Sequence, residues 1–272
     1  MQMMLFTRKL VSLDTVQRIV VVSGGIVGGV DRPLSRAELL ELRRRIHERI
    51  SGIGADVFDG IRLAADPFMQ LVEEGLRRFA TYRITGRENI PRRGRIVIAP
   101  NHPLPFPDNF AVLKAVHTLF APRPFAVIMN VNTVTQLFPD WTERSSFRER
   151  VIPVYREGGN SFGRVVNGPE VVRRAVDFLQ SHENAVLIVA PEGSDSILQN
   201  WVLYPYAGFA RIAWESCAMV VPIVTTGHAD LKSLAFHVEI ELLPPLSLRL
   251  PAGPQETRDD WASTLRKRFK GA

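Results

Sequence analysis

His102 and Asp108 are the residues whose types and spacing first point to chemistry. Five residues lie between them in the run RIVIAPNHPLPFPD, directly after an apolar segment. A histidine whose Nδ1–H is held by a carboxylate presents Nε2 as a base, and the carboxylate stabilises the imidazolium that forms. Pro103, Pro105 and Pro107 stiffen the turn between them, as a fixed His–Asp geometry requires. Spacing alone leaves a second arrangement open, in which Asp108 caps a helix and His102 meets a loop carbonyl. A further candidate is Gly159-Asn-Ser-Phe-Gly163, which matches the G-x-S-x-G nucleophile elbow with Ser161 as nucleophile and His228 or His237 as base. An elbow needs its serine at the end of a strand, whereas here the apolar run ends near Tyr155 and Arg-Glu-Gly-Gly intervenes. The run VVVSGGIVGGV at 20–30 lacks the G-x-G-x-x-G register of a dinucleotide loop. The six histidines form no H-E-x-x-H pattern, so no metal is expected.

These residues need elements to hold them. From about Arg83 short Val/Ile-rich runs alternate with helical patterns. Strands are expected at Ile96–Ala99, Ala126–Met129, Val151–Tyr155, Ala185–Ala190, Met219–Val224 and His237–Leu243. Helices are expected at Asp108–Leu119, Pro169–Leu179 and Ala207–Ser216. Such alternation predicts an α/β fold whose mixed, largely parallel sheet is flanked by helices. Runs without polar alternation predict strands buried on both faces, and functional groups in such sheets collect beyond the carboxyl ends of the strands.

Residues 1–82 read as a helical N-terminal attachment and 83–272 as the α/β domain. Ser35 and Glu38 form a capping box, followed by Leu39, Leu42, Ile46 and Ile50 at helical spacing, with Arg43, Arg44, Arg45 and Arg49 on a basic face. A second helical stretch runs to about Phe79 and is interrupted at Pro67, with Phe58, Ile61, Phe68, Leu71 and Phe79 on its apolar side. Packing onto the main domain and contact with anionic lipid are both open to such helices.

Four blocks, in order, resemble the glycerolipid (lysophosphatidate-type) acyltransferase superfamily. GRENIPRRGRIVIAPNHP resembles the family's entry strand and His–Asp motif. IPVYR at Ile152–Arg156 is similar to the second block, APEGSDS at Ala190–Ser196 to the third, and YAGFARIAWESCAMVVPIV to the helix and fourth block. The similarity spans roughly Tyr82 to Leu248. It differs in two places: five residues separate His102 from Asp108 where four are usual, as in a His-Pro-Leu-Gly-Gly-Leu-Asp variant, and Asp195 replaces the third block's arginine.

The resemblance implies an acyl group passing from a thioester donor, acyl-CoA or acyl-carrier protein, to a hydroxyl or amine of a lipid-like acceptor. It makes His102 the general base and Asp108 its partner. Asn101, Arg156, Glu192, Gly193 and Ser194 are then substrate-binding residues, with Arg156 on an acceptor phosphate and Glu192 and the Gly193 backbone near the acceptor or developing oxyanion. Asp195 beside that site predicts an acceptor of reduced negative charge. No cofactor is implied. The alternatives are an α/β-type serine hydrolase or esterase using Ser161 and, on the five-residue His102–Asp108 spacing, a catalytically dead lipid-binding relative.

Composition is compatible with this. The net charge of +6 suits anionic lipid, phosphorylated small molecules or nucleic acid, but no zinc finger, RNP motif or basic arm is present, and nucleic acid is set aside. No apolar stretch reaches the ~18 residues of a membrane span. A cytoplasmic protein peripheral at the membrane is expected. The single cysteine, Cys217, excludes an intramolecular disulfide and, within CAMVVPIV, is expected to be a small buried hydrophobe.

Overall fold

The computed structural model describes residues 41, 44, 45, 48, 60, 61, 66–102, 107–130, 149–157, 164–193, 205–230, 235–246 and 253–270. In chain order the elements are α1 (Pro67–Phe79), β1 (Ala80–Thr85), a 3-10 turn (Arg87–Asn89), β2 (Ile96–Pro100), α2 (Pro107–Phe120), β3 (Phe125–Asn130), β4 (Val151–Val154), α3 (Gly168–Gln180), β5 (Val186–Ile188), α4 (Ala207–Ser216), β6 (Met219–Asp230), β7 (Ala235–Leu242) and α5 (Pro254–Lys270).

The strands form one seven-stranded sheet in the order β1-β7-β6-β2-β5-β3-β4. β6, β2, β5, β3 and β4 run parallel, so their carboxyl ends share one edge. β7 is antiparallel to β6 and carries β1 parallel to itself. β2 is the central strand and all five of its residues are buried. Its side chains alternate between two cores: Ile96 and Ile98 face α1 and α2, Val97 and Ala99 face α3, α4 and α5. The fold is thus the expected largely parallel α/β sheet, covered by helices on both faces.

α1 shows why its residues form this element. The Asp66 side chain accepts from the Met69 N–H at 3.1 Å and caps the helix. Pro67 follows as the first helical residue, where its missing N–H costs nothing. The apolar face, with Phe68, Leu71, Val72 and Leu76, is buried in the same core as the sheet, together with Ile61. Gly75 lies so close to α2 that a Cβ there would stand 2.7 Å from the Phe110 ring.

Two elements were not expected from the sequence, β1 and α5. β1 is an edge strand with alternating half-exposed residues, and it follows α1 without a break. α5 is mostly polar; it is held by a narrow stripe of Trp261, Ala262 and Leu265, with the Trp261 indole N–H donating to the Ala99 carbonyl at 2.9 Å. One expectation is corrected. Cys217 is exposed, because it occupies the left-handed position (φ 52°) that ends α4, where its N–H turns back to the Ala213 and Trp214 carbonyls. The capping box at Ser35 and Glu38 and the run at 20–30 lie outside the described residues. Of the basic face, Arg44 is exposed and paired with Glu41 and Glu48.

Candidate active site

The carboxyl ends of β2, β5 and β4 bring the first three sequence blocks to one edge. β2 delivers Asn101 and His102, β5 leads to Pro191, Glu192 and Gly193, and β4 leads to Tyr155 and Arg156. β6, with the fourth block, pairs with β2 through Ala99↔Pro222 and Pro100↔Ile223.

Asn101 marks where the chain leaves the sheet. Its backbone N–H still donates to the Ile223 carbonyl at 3.2 Å. Its side-chain amide then stands in for the next peptide: Oδ1 accepts from the Thr225 N–H at 2.6 Å and Nδ2 donates to the Thr225 carbonyl at 3.0 Å. Asn101 is 1% exposed, so the residue expected to meet substrate has its amide spent on the adjoining strand. The β2–β6 pairing is prolonged and the next residue, His102, is fixed in place.

His102 is half-buried. Its backbone N–H donates to Glu192 Oε2 at 3.4 Å, and its Nε2 lies 3.1 Å from Nδ2 of Asn109 on α2. Glu192 is 2% exposed. A carboxylate so deeply buried is costly unless hydrogen-bonded, and one of its oxygens serves the backbone of the candidate base. Asp108 is the second residue of α2, so the helix begins between the two members of the expected dyad. The side chain of Asp108, Ser194, Asp195 and the elbow serine Ser161 lie outside the described residues, as does the side chain of His228. His237 lies in β7, where its Nδ1 meets the Thr81 hydroxyl at 2.8 Å and the residue pairs with His228 on the stretch of β6 that runs on past Ile223, the partner of Pro100.

The turn after β5 is shaped by Gly193, whose φ of 66° is left-handed. Its N–H donates to the Ala190 carbonyl at 3.1 Å, and its carbonyl accepts from Arg156 Nη2. A Cβ at Gly193 would meet the Tyr206 ring at 2.8 Å and the Arg156 guanidinium at 3.3 Å. The Gly193 N–H, expected near the oxyanion, is therefore engaged within its own turn, and Arg156 is tied to that turn's carbonyl. Among the described residues no group of three or more His, Cys, Asp or Glu side chains is placed to hold a metal ion. No described helix is long and apolar enough to cross a membrane.

Asn109 and the positional roles of Asn101 and Glu192 were not legible from spacing. The only signal for Asn109 was its place beside Asp108.

Comparison with known proteins supplies the context for this edge. No curated protein matches the chain. Among solved structures, a 1-acyl-sn-glycerophosphate (LPA) acyltransferase, PlsC, from Thermotoga maritima superposes with a TM-score of 0.53 at 18% identity, covering 86% of this chain and 97% of that one. That likeness bears on the fold. The sequence itself matches the profile of the family described as Acyltransferase over residues 81–226, more than half of its length and a span that opens in β1 and closes one residue past Thr225. The chain belongs to the Acyltransferase family and is an acyltransferase.

Proposed function

We propose that the protein transfers a fatty acyl group from a thioester donor, acyl-CoA or acyl-carrier protein, to a hydroxyl or amine of a lipid-like acceptor. His102 is the general base and Asp108 its orienting partner. The observation that carries this reading is the position of His102. It follows the central buried strand without an intervening residue other than Asn101, whose amide is clamped to β6, and a buried glutamate holds its backbone. A reacting imidazole needs such rigidity, because misplacement by about 1 Å can cost 10²-fold in rate. The solved acyltransferase of similar fold, whose substrate is a lysophospholipid by its description, supports a lipid acceptor.

In this mechanism the acceptor O–H or N–H gives its proton to Nε2 as its heavy atom bonds to the thioester carbonyl carbon. The tetrahedral intermediate collapses, the C–S bond breaks, and the thiolate takes the proton back from the imidazolium. General-base assistance of this kind is worth about 10²–10⁴ in rate. No cofactor enters beyond the donor. We also propose attachment at a membrane surface, for which the apolar face of α1 is not available because it is packed into the core.

The test is release of free thiol from long-chain acyl-CoA in the presence of a lysophospholipid acceptor. The wild type is expected to release thiol in proportion to acylated product. His102→Ala should lose the reaction while keeping its circular dichroism spectrum; near-normal turnover in that variant would overturn the assignment.

A further inference from the structure

Asn109 has no part in the reaction as described so far, yet its side chain meets the reactive nitrogen. It is the third residue of α2, and its Nδ2 lies 3.1 Å from Nε2 of His102. A primary amide nitrogen carries two N–H donors and no acceptor lone pair. A neutral imidazole facing it must therefore offer its own lone pair at Nε2 and carry its proton on Nδ1. That is the tautomer a base acting through Nε2 needs.

We propose that Asn109 is a positioning residue for acyl transfer, whose amide holds Nε2 of His102 unprotonated and yields that lone pair to the incoming acceptor. The inference rests on His102 being the base. A neutral hydrogen bond has a net worth of about 1 kcal/mol, roughly a fivefold bias that adds to the one Asp108 exerts through Nδ1. The acceptor must bring its O–H or N–H to about 2.6–3.2 Å from Nε2, the range the amide now occupies. Binding exchanges one donor for another, so no lone pair is left bare in either state. When Nε2 has taken the proton, the amide N–H can no longer face it favourably. This biases the proton toward the departing thiolate sulfur, where the reaction requires it.

α1 supports this placement. Gly75 admits the ring of Phe110, the residue next to Asn109, so the first turn of α2 sits close against α1. The helix start that presents the amide is thereby located by packing on its far side.

The experiment uses the full chain with ¹⁵N-labelled histidine. Long-range ¹H–¹⁵N spectra are recorded at a pH where the ring is neutral, with His102→Gln identifying the signal. The wild type is expected to show Nδ1 protonated and Nε2 bare. Asn109→Ala should raise the Nε2-protonated share about fivefold relative to the wild type, and Asn109→Asp, whose carboxylate accepts a hydrogen bond in competition with Asp108, should shift the proton further toward Nε2. In the thiol-release assay Asn109→Asp should lower kcat about tenfold or more, a part of what a general base supplies. The KM for acyl-CoA should change less than about twofold, since the donor is not what the amide holds. Asn109→Gln should recover part of the rate. A wild-type signal protonated at Nε2, or Asn109→Asp turning over at the wild-type rate, overturns the proposal. His102→Ala separates the two readings: its retained activity would remove the base itself, whatever tautomer the spectra report.

Discussion

Arg156 donates from Nη2 to the carbonyl of Gly193, which ties the end of β4 to the turn after β5. Arg156→Lys keeps the charge but loses the planar fork that can serve two acceptors at once. It is expected to lower kcat as well as raise the KM for acceptor. Steady-state kinetics at saturating acceptor checks this: a KM effect alone would mean that Arg156 only binds acceptor.

Gly193→Ala should be damaging for two independent reasons. A left-handed backbone costs a residue with Cβ roughly 1–2 kcal/mol, and the new methyl would strike the Tyr206 ring, 2.8 Å from its position. Denaturant unfolding should show a loss of that size, with a larger loss of activity than of stability because the turn carries Glu192.

Asn101→Ala, at a fully buried position, should destabilise strongly. It leaves the N–H and C=O of buried Thr225 without their partners, at about 1–3 kcal/mol for each such group. Unfolding by urea measures the sum, and Asn101→Asp, which can still accept from the N–H, should fall between.

Gly75→Ala sets two effects against each other. Alanine gains about 1 kcal/mol in helix propensity, while overpacking against Phe110 costs about 1–3 kcal/mol. A net loss is expected. Phe110→Leu in the same chain should relieve it, and a double-mutant cycle on unfolding free energies would show the coupling as non-additivity.

His117, in the last turn of α2, meets Phe125 edge-on at 5.9 Å between ring centroids. Burial, aided by Lys114 and Arg150 and opposed by Asp66 and Glu73, holds its pKa below the ordinary histidine value. A helix C-terminus would favour the cation, but burial prevails. With the folded value depressed, this contribution to stability is present above about pH 6.5 and is lost as pH falls toward the folded value. His117→Leu should flatten stability between pH 7.5 and 5, as read from denaturant midpoints at each pH.

Much of this architecture was written in the sequence where burial is complete. Ile96–Ala99 reads as a two-faced strand because every residue in it is buried, and α4 was bounded at Ala207 and Ser216 as observed. β1 was missed because an edge strand buries only half of each residue and continues directly from a helix. α5 was missed because its buried stripe is narrow and the rest is charged. At the site, His102 announced itself by following a strong strand. Asn101, Glu192 and Asn109 could not, since their roles depend on β6, β5 and α2 meeting at one edge, and adjacency between distant segments leaves no trace in local spacing.

The exposed Cys217 makes a practical handle. It is the chain's single thiol, set just before the amino end of β6, while His102 follows the carboxyl end of the neighbouring parallel β2. Five residues of strand at about 3.3 Å each separate the two levels by roughly 17 Å. A maleimide-linked fluorophore there would report on the body of the protein from the edge opposite the chemistry. Because its backbone is already left-handed, the thiol can also be erased: Cys217→Gly suits that conformation and should give an unreactive background into which reporter cysteines are placed at will.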